Sequence, residues 1–140
     1  MFERYTEAAR RAIFAARFYA GEADSATIEI EHLLLGLADV DHALLRRLLG
    51  SDEAIEMMHR EVRPASVRPH VMAGGALPLT DESKNVLAYA AEESGRLTHK
   101  RLNTGHLLLG LLREKNCRAA RMLNERGLAL EQARKDQEQS

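Results

Sequence analysis

The feature that most constrains this chain is a hexapeptide that occurs twice. His32-Leu33-Leu34-Leu35-Gly36-Leu37 recurs letter for letter as His106-Leu107-Leu108-Leu109-Gly110-Leu111, 74 residues later. The same offset carries upstream without a gap. Thr6 meets Thr80, Ile13 meets Leu87, Ala16 meets Ala90, Gly21 meets Gly95 and Ile28 meets Leu102. Coincidence does not hold register over such a span, so the chain is a tandem duplication and its fold must house one unit twice.

Each unit reads as four short helices. Threonine at 6 and 80 is suited to cap exposed N–H groups, and acids follow in the first turn (Glu7; Asp81 and Glu82). Ala9, Ala12, Ile13, Ala16 and Ala20 then recur at helical spacing, small enough to let a neighbouring helix come close. Gly21 and Gly95 are expected to end these first helices, ahead of polar loops of about eight residues. The second helix carries the repeated hexapeptide. The third is expected over Asp41–Leu49 and Lys115–Arg126, stopping at Gly50 and Gly127 and running longer in the second unit; the fourth starts near Ser51 and Leu128.

Neither half has an apolar face large enough to stand alone. The expected fold is therefore all-α, with eight short helices in two tandem four-helix repeats, 2–63 and 80–135, related by a pseudo-twofold axis. Residues 64–79 read as a linker, since this stretch holds all three prolines and the Gly74-Gly75 pair. The polar end, 136–140, is expected to fray.

Composition narrows the function. With 140 residues and 45% hydrophobic content, the chain can bury a core without a metal or disulfide staple. Its net charge of −1 lacks the basic excess that a nucleic-acid binder uses against phosphates. Apolar runs are too short for a membrane span, the N-terminus lacks a signal-peptide pattern, and the one cysteine, Cys117, fits a reducing compartment. These features point to a cytoplasmic chain with no nucleic-acid or membrane partner.

The quoted motifs resemble a known family. A Thr-x-x-Ala start, an alanine-rich helix and a loop ending in Glu31-His32-Leu33-Leu34-Leu35-Gly36-Leu37 resemble the Clp N-terminal repeat. So do Leu111-Leu112-Arg113-Glu114 and Ala119-Ala120-Arg121-Met122-Leu123 in the second unit, and the opening Met1-Phe2-Glu3-Arg4-Tyr5-Thr6. That repeat stands doubled at the front of ClpA- and ClpC-type unfoldases and in short stand-alone proteins. The resemblance covers about residues 2–135. It implies eight helices and a docking role, with a Clp adaptor, a Clp ATPase or protease, or a client protein as partner. The chain has no Gly-x-x-x-x-Gly-Lys-Ser/Thr loop, so no ATPase activity, no enzyme function and no cofactor are expected of it. A monomer is expected.

Four residues are candidate partner-binding positions. In ClpC-type members a glutamate at the place of Glu31 resembles part of a pocket for phosphorylated arginine, a carboxylate being suited to a guanidinium. The equivalent position in the second unit is Gly105; the threonine that precedes the family's glutamate is kept as Thr104 and replaced by Ile30. Each half thus retains one member of the pair. Phe14 and Phe18 are read from the residues alone. Four apart on one helix, they fall opposite the alanine stripe, where their counterparts are Ala88 and Glu92. A second possibility for them is cover by the linker or the C-terminal tail.

Thr6, His32, Gly36, Thr80, His106 and Gly110 are read as structural repeat positions. The histidines lack metal-ligand spacing, and no metal is expected. Cys117 lies between Lys115 and Arg118, cations of the kind that lower a thiol pKa, yet it has no catalytic neighbour in sequence. Two further functions compete with docking for an unfoldase. One is an independent binder of peptides, adaptors or small ligands. The other is a helix-turn-helix regulator, using Arg113, Lys115, Arg118, Arg121 and Arg126 on one basic helix.

Overall fold

A computed structural model describes residues 2–62 and 77–139. Among these residues eight α-helices follow one another: α1 Glu7–Glu22, α2 Ile30–Val40, α3 His42–Leu49, α4 Asp52–Val62, α5 Asp81–Arg96, α6 Thr104–Arg113, α7 Arg118–Glu125 and α8 Leu130–Glu138. The all-α architecture and its division into two four-helix repeats match the expectation from the duplication.

Helix starts follow the chemistry of the sequence. The Thr6 hydroxyl accepts the Ala9 N–H at 3.1 Å, and Thr80 does the same for Ser83 at 3.1 Å. The repeated histidine works at the start of the second helix. His32 Nδ1 accepts the Glu29 N–H at 3.0 Å, and His106 Nδ1 accepts the Asn103 N–H at 2.9 Å, satisfying donors that the helix itself leaves unpaired. The repeated glycine has a packing role. A Cβ on Gly36 would stand 2.2 Å from the Ala12 carbonyl oxygen, and one on Gly110 would stand 2.3 Å from that of Val86. Glycine here lets α2 lie directly on the backbone of α1, and α6 on that of α5.

The repeats are tied by reciprocal pairing. Tyr5 bridges Leu102, and Leu79 bridges Ile28. Thr6 N–H donates to Leu102 O at 2.9 Å while Leu102 N–H donates to Arg4 O at 2.9 Å; Thr80 N–H donates to Ile28 O at 3.1 Å while Ile28 N–H donates to Pro78 O at 2.8 Å. Each repeat's leading segment therefore pairs with the other repeat, as a pseudo-twofold axis demands. Near that axis Ala12, Leu33, Val86, Leu107 and Leu111 are buried in one continuous core.

Four boundaries differ from the sequence reading. First, Gly21 and Gly95 sit inside the last turns of α1 and α5; the left-handed residues of those ends are Asp24 (φ 55°) and Thr98 (φ 56°). Second, the third helices are equal at 8 residues each, because Lys115 and Asn116 stay in the connection and Cys117 caps α7. Third, the expected linker 64–79 ends too late, since the Pro78 carbonyl accepts from Ile28 and Leu79 is bridged to it; its positions 64–76 lie outside the described residues. Fourth, the expected frayed end, 136–140, is corrected by α8 running to Glu138, with Gln137 buried and Asp136 paired to Arg47 at 2.7 Å. Gly50 and Gly127 do follow the third helices with φ of 87° and 89°, where glycine is favoured.

Candidate functional site

A groove of about 480 Å³ runs along α5. Its apolar surface comes from Tyr5, Leu87, Ala88, Ala91 and Leu102, and its edge carries Arg4, Lys84, Lys100 and His99 with Glu3 as the one acid. Two distant segments build it. The leading segment of repeat one lies beside α5 because Tyr5 is bridged to Leu102, and the small side chains of Ala88 and Ala91 leave the space open. Sequence periodicity carries no signal for it, since one wall comes from the other repeat.

His99 and His106 meet at this groove. His99 Nδ1 lies 2.8 Å from His106 Nε2. With His106 Nδ1 accepting from Asn103, its proton resides on Nε2 and is donated to His99. Burial, followed by the neighbouring His99, pushes the His106 pKa down to about 4, so it is neutral at physiological pH. Burial likewise lowers His32. Both are buried and hydrogen-bonded at the starts of their helices. Among the described residues no group of three or more His, Cys, Asp or Glu side chains is placed to hold a metal.

Phe14 and Phe18 lie on the outer face of α1, 72% and 56% exposed. Glu31 is half-buried at the start of α2; burial and then Glu29 raise its carboxyl pKa, against the nearby positive charge of Arg118. Thr104 stands apart from it. Its buried hydroxyl donates to Asp41 at 2.6 Å and joins α6 to the cap of α3. The Gly105 position is also filled, because a Cβ there would fall 2.0 Å from the Gln137 side chain of α8. The structure thus brings neither Thr104 nor Gly105 into an open counterpart of the Glu31 surface.

Two other expectations change. Burial raises the Cys117 pKa, with Glu31 and Glu114 adding to it against the hydrogen bond from Ala120, whose N–H Sγ accepts at 3.3 Å as a helix cap. The basic stretch is not one helix. Arg113 ends α6 and pairs with Glu93 and Glu92, while Arg118 donates to Glu61 O at 2.7 Å and Arg126 pairs with the Glu61 carboxylate. Three of its five cations are thus engaged within the molecule. No helix among the described residues is long and apolar enough to cross a membrane.

A doubled four-helix repeat with exchanged leading segments defines an all-helical tandem-repeat domain. Residues 78–140 match the Clp repeat (R) N-terminal domain family. Over 135 residues, 96% of this chain, it is 33% identical to the negative regulator of genetic competence ClpC/MecB of Bacillus subtilis. It is 32% identical over 139 residues to the ATP-dependent Clp protease ATP-binding subunit ClpC of Staphylococcus aureus. The chain spans 16% of the length of each of these relatives. The N-terminal domain of the caseinolytic protease associated chaperone ClpD from Arabidopsis thaliana superposes with a TM-score of 0.75 at 26% identity, covering 100% of this chain and 97% of that one. The Hsp104 N-terminal domain of Candida albicans shares the fold at 16% identity, with a TM-score of 0.73 over 95% of this chain and 88% of that one. Residues 78–140 thus match the Clp N-terminal repeat family, and the chain as a whole is similar in sequence and fold to Clp N-terminal domains.

Proposed function

We propose that this chain is a protein-docking domain that presents adaptors or client segments to a Clp-type ATP-driven unfoldase, and that it has no catalytic activity of its own. The observation that carries this reading is the α5 groove, with its apolar floor between Tyr5 and Leu102 and its basic edge. Such a surface fits a short peptide segment whose apolar side chains enter the groove while acidic groups meet Arg4, Lys84 and Lys100. Fluorescence anisotropy with arrayed short peptides tests it. Peptides of that pattern are expected to bind and to lose about tenfold or more in affinity on Ala91→Glu, which fills the groove from an exposed position. Equal affinity for the variant removes the groove from the reading. Capture of Clp ATPase or protease subunits by the purified chain separates docking for an unfoldase from independent peptide binding.

A second reading concerns Glu31. Its half-buried carboxylate has Arg118 as a nearby cation, a combination suited to a guanidinium on one side and a phosphate on the other. Calorimetry with free phosphoarginine is expected to give binding that Glu31→Gln abolishes; no heat with the unaltered chain ends this reading.

A further inference from the structure

The 74-residue offset maps the α5 groove onto the outer face of α1. Lys84 corresponds to Arg10, Leu87 to Ile13, Ala88 to Phe14 and Ala91 to Arg17. In repeat two the two alanines leave a groove; in repeat one phenylalanine and arginine take their places, and Phe14 and Phe18 project outward, 72% and 56% exposed. The duplicated face has therefore become a cleft on one repeat and an aromatic ridge on the other.

Two exposed arginines adjoin the ridge. Arg10 and Arg11 lie one turn before Phe14, are exposed, and form no ion pair among the described residues. Their repeat-two equivalents are Lys84 and Asn85, and the equivalent of Phe18 is Glu92, so the concentration of arginine and aromatic side chains is particular to repeat one. The obvious internal partner for a ridge is the groove of a second copy. That pairing sets Arg10 and Arg11 against a groove edged by Arg4, Lys84 and Lys100, and like charge opposes it. A flat anionic surface fits less well too, because Glu7 and Glu22 bracket the arginines along α1 and set a register that a uniform surface cannot match.

We propose that Phe14 and Phe18, with Arg10 and Arg11, form a second docking surface that receives an acidic amphipathic helix of a protein partner. The two rings, four residues apart, make a ridge that seats between the side-chain rows of a partner helix, and glutamates flanking that helix's apolar stripe meet the two arginines. This surface is independent of the groove reading, since it lies on the other repeat and shares no residue with the groove.

The test is a titration of the isotope-labelled chain, followed by NMR, with three synthetic helical peptides. All three carry one leucine–alanine stripe, flanked by glutamate, glutamine or lysine. The acidic peptide is expected to bind most tightly, to shift amides of residues 10–18, and to weaken with added salt. Phe14→Ala with Phe18→Ser, and separately Arg10→Glu with Arg11→Glu, should each reduce its affinity by about tenfold or more. Ala91→Glu should leave it unchanged, which separates this surface from the groove. Binding of the lysine peptide as tightly as the glutamate one, or shifts confined to the groove, overturns the proposal. So does a preference for phosphatidylglycerol vesicles over the acidic peptide, or self-association that the Phe14/Phe18 variant abolishes.

Discussion

The two repeats solve one packing problem with opposite chemistry. In repeat one, Tyr19 on α1 donates its hydroxyl to Asp39 on α2, and His59 on α4 approaches the same carboxylate at 3.2 Å. In repeat two, the equivalents of Tyr19 and Asp39 are Glu93 and Arg113. Glu93 is 1% exposed, accepts from Arg113 at 3.2 Å, and takes a bidentate pair from Arg134 of α8 at 2.9 and 3.0 Å. Each clamp joins the first, second and fourth helices of its repeat. Duplication has preserved where a polar tie is needed and left its charge free to change. The ties differ in depth as well, since the Asp39 side chain is 43% exposed.

That difference sets the first and largest expected effect. Glu93→Gln strands Arg113 and Arg134 around a neutral group and should cost about 3–5 kcal/mol, the scale for breaking a buried ion pair. Tyr19→Phe removes one half-exposed hydrogen bond and should cost only about 1 kcal/mol. Urea unfolding of both variants checks the contrast, and equal losses would break it.

Acid should act mainly through repeat two. His106 is held neutral with a pKa of about 4 against the ordinary 6.5, so between those values the unfolded chain binds a proton that the folded chain refuses. Its contribution is complete above about pH 6.5 and is lost as the pH falls toward 4, on the order of 3 kcal/mol in all. His106→Asn should flatten the dependence of urea midpoints on pH in that window. Glu93 adds a loss at lower pH. Burial alone would raise its carboxyl pKa, but hydrogen bonding from Arg134 and the charges of Arg134, Arg113 and Arg96 hold it below the usual range. Its stabilisation is present above the unfolded carboxyl value and disappears as pH falls through the folded one.

The repeated glycines sharpen the comparison further. A Cβ on Gly36 would meet two backbone atoms, at 2.2 and 2.8 Å, whereas on Gly110 the second contact relaxes to 3.2 Å. Gly36→Ala should therefore be the more damaging of the pair, within the roughly 1–3 kcal/mol of an overpacked site. Thermal denaturation ranks the two directly. The smallest effect is a gain. Thr98 holds a left-handed conformation that its β-branched side chain disfavours, while Asp24 at the equivalent turn tolerates it. Thr98→Gly should stabilise by about 1 kcal/mol and Asp24→Gly by much less; comparable gains would mean the turns are not strained differently.

Most of the fold was legible because duplication repeats every local signal. The threonine caps and the His-Leu-Leu-Leu-Gly-Leu segment each occur twice, so a helix assigned once is checked once more. What escaped is long-range. Glu93 and Arg134 are 41 residues apart, and nothing local announces that a polar C-terminal stretch will be fastened by Arg134, Asp136 and Gln137. Gly21 and Gly95 misled because each chain end turned three residues later, at Asp24 and Thr98. Of the candidate sites, the outward direction of Phe14 and Phe18 followed from helix geometry alone. The groove did not, since Tyr5 and Leu87 become neighbours only after the repeats exchange their leading segments.

That exchange has a consequence for how the molecule opens. Arg4 and Thr6 are hydrogen-bonded to Leu102 of the second repeat, and Pro78 and Thr80 to Ile28 of the first, so loosening one half is expected to loosen the other. The domain should therefore open as one cooperative unit despite being built from two copies. The slowest amides to exchange with deuterium should be those of α2 and α6, and both sets should report a single opening free energy.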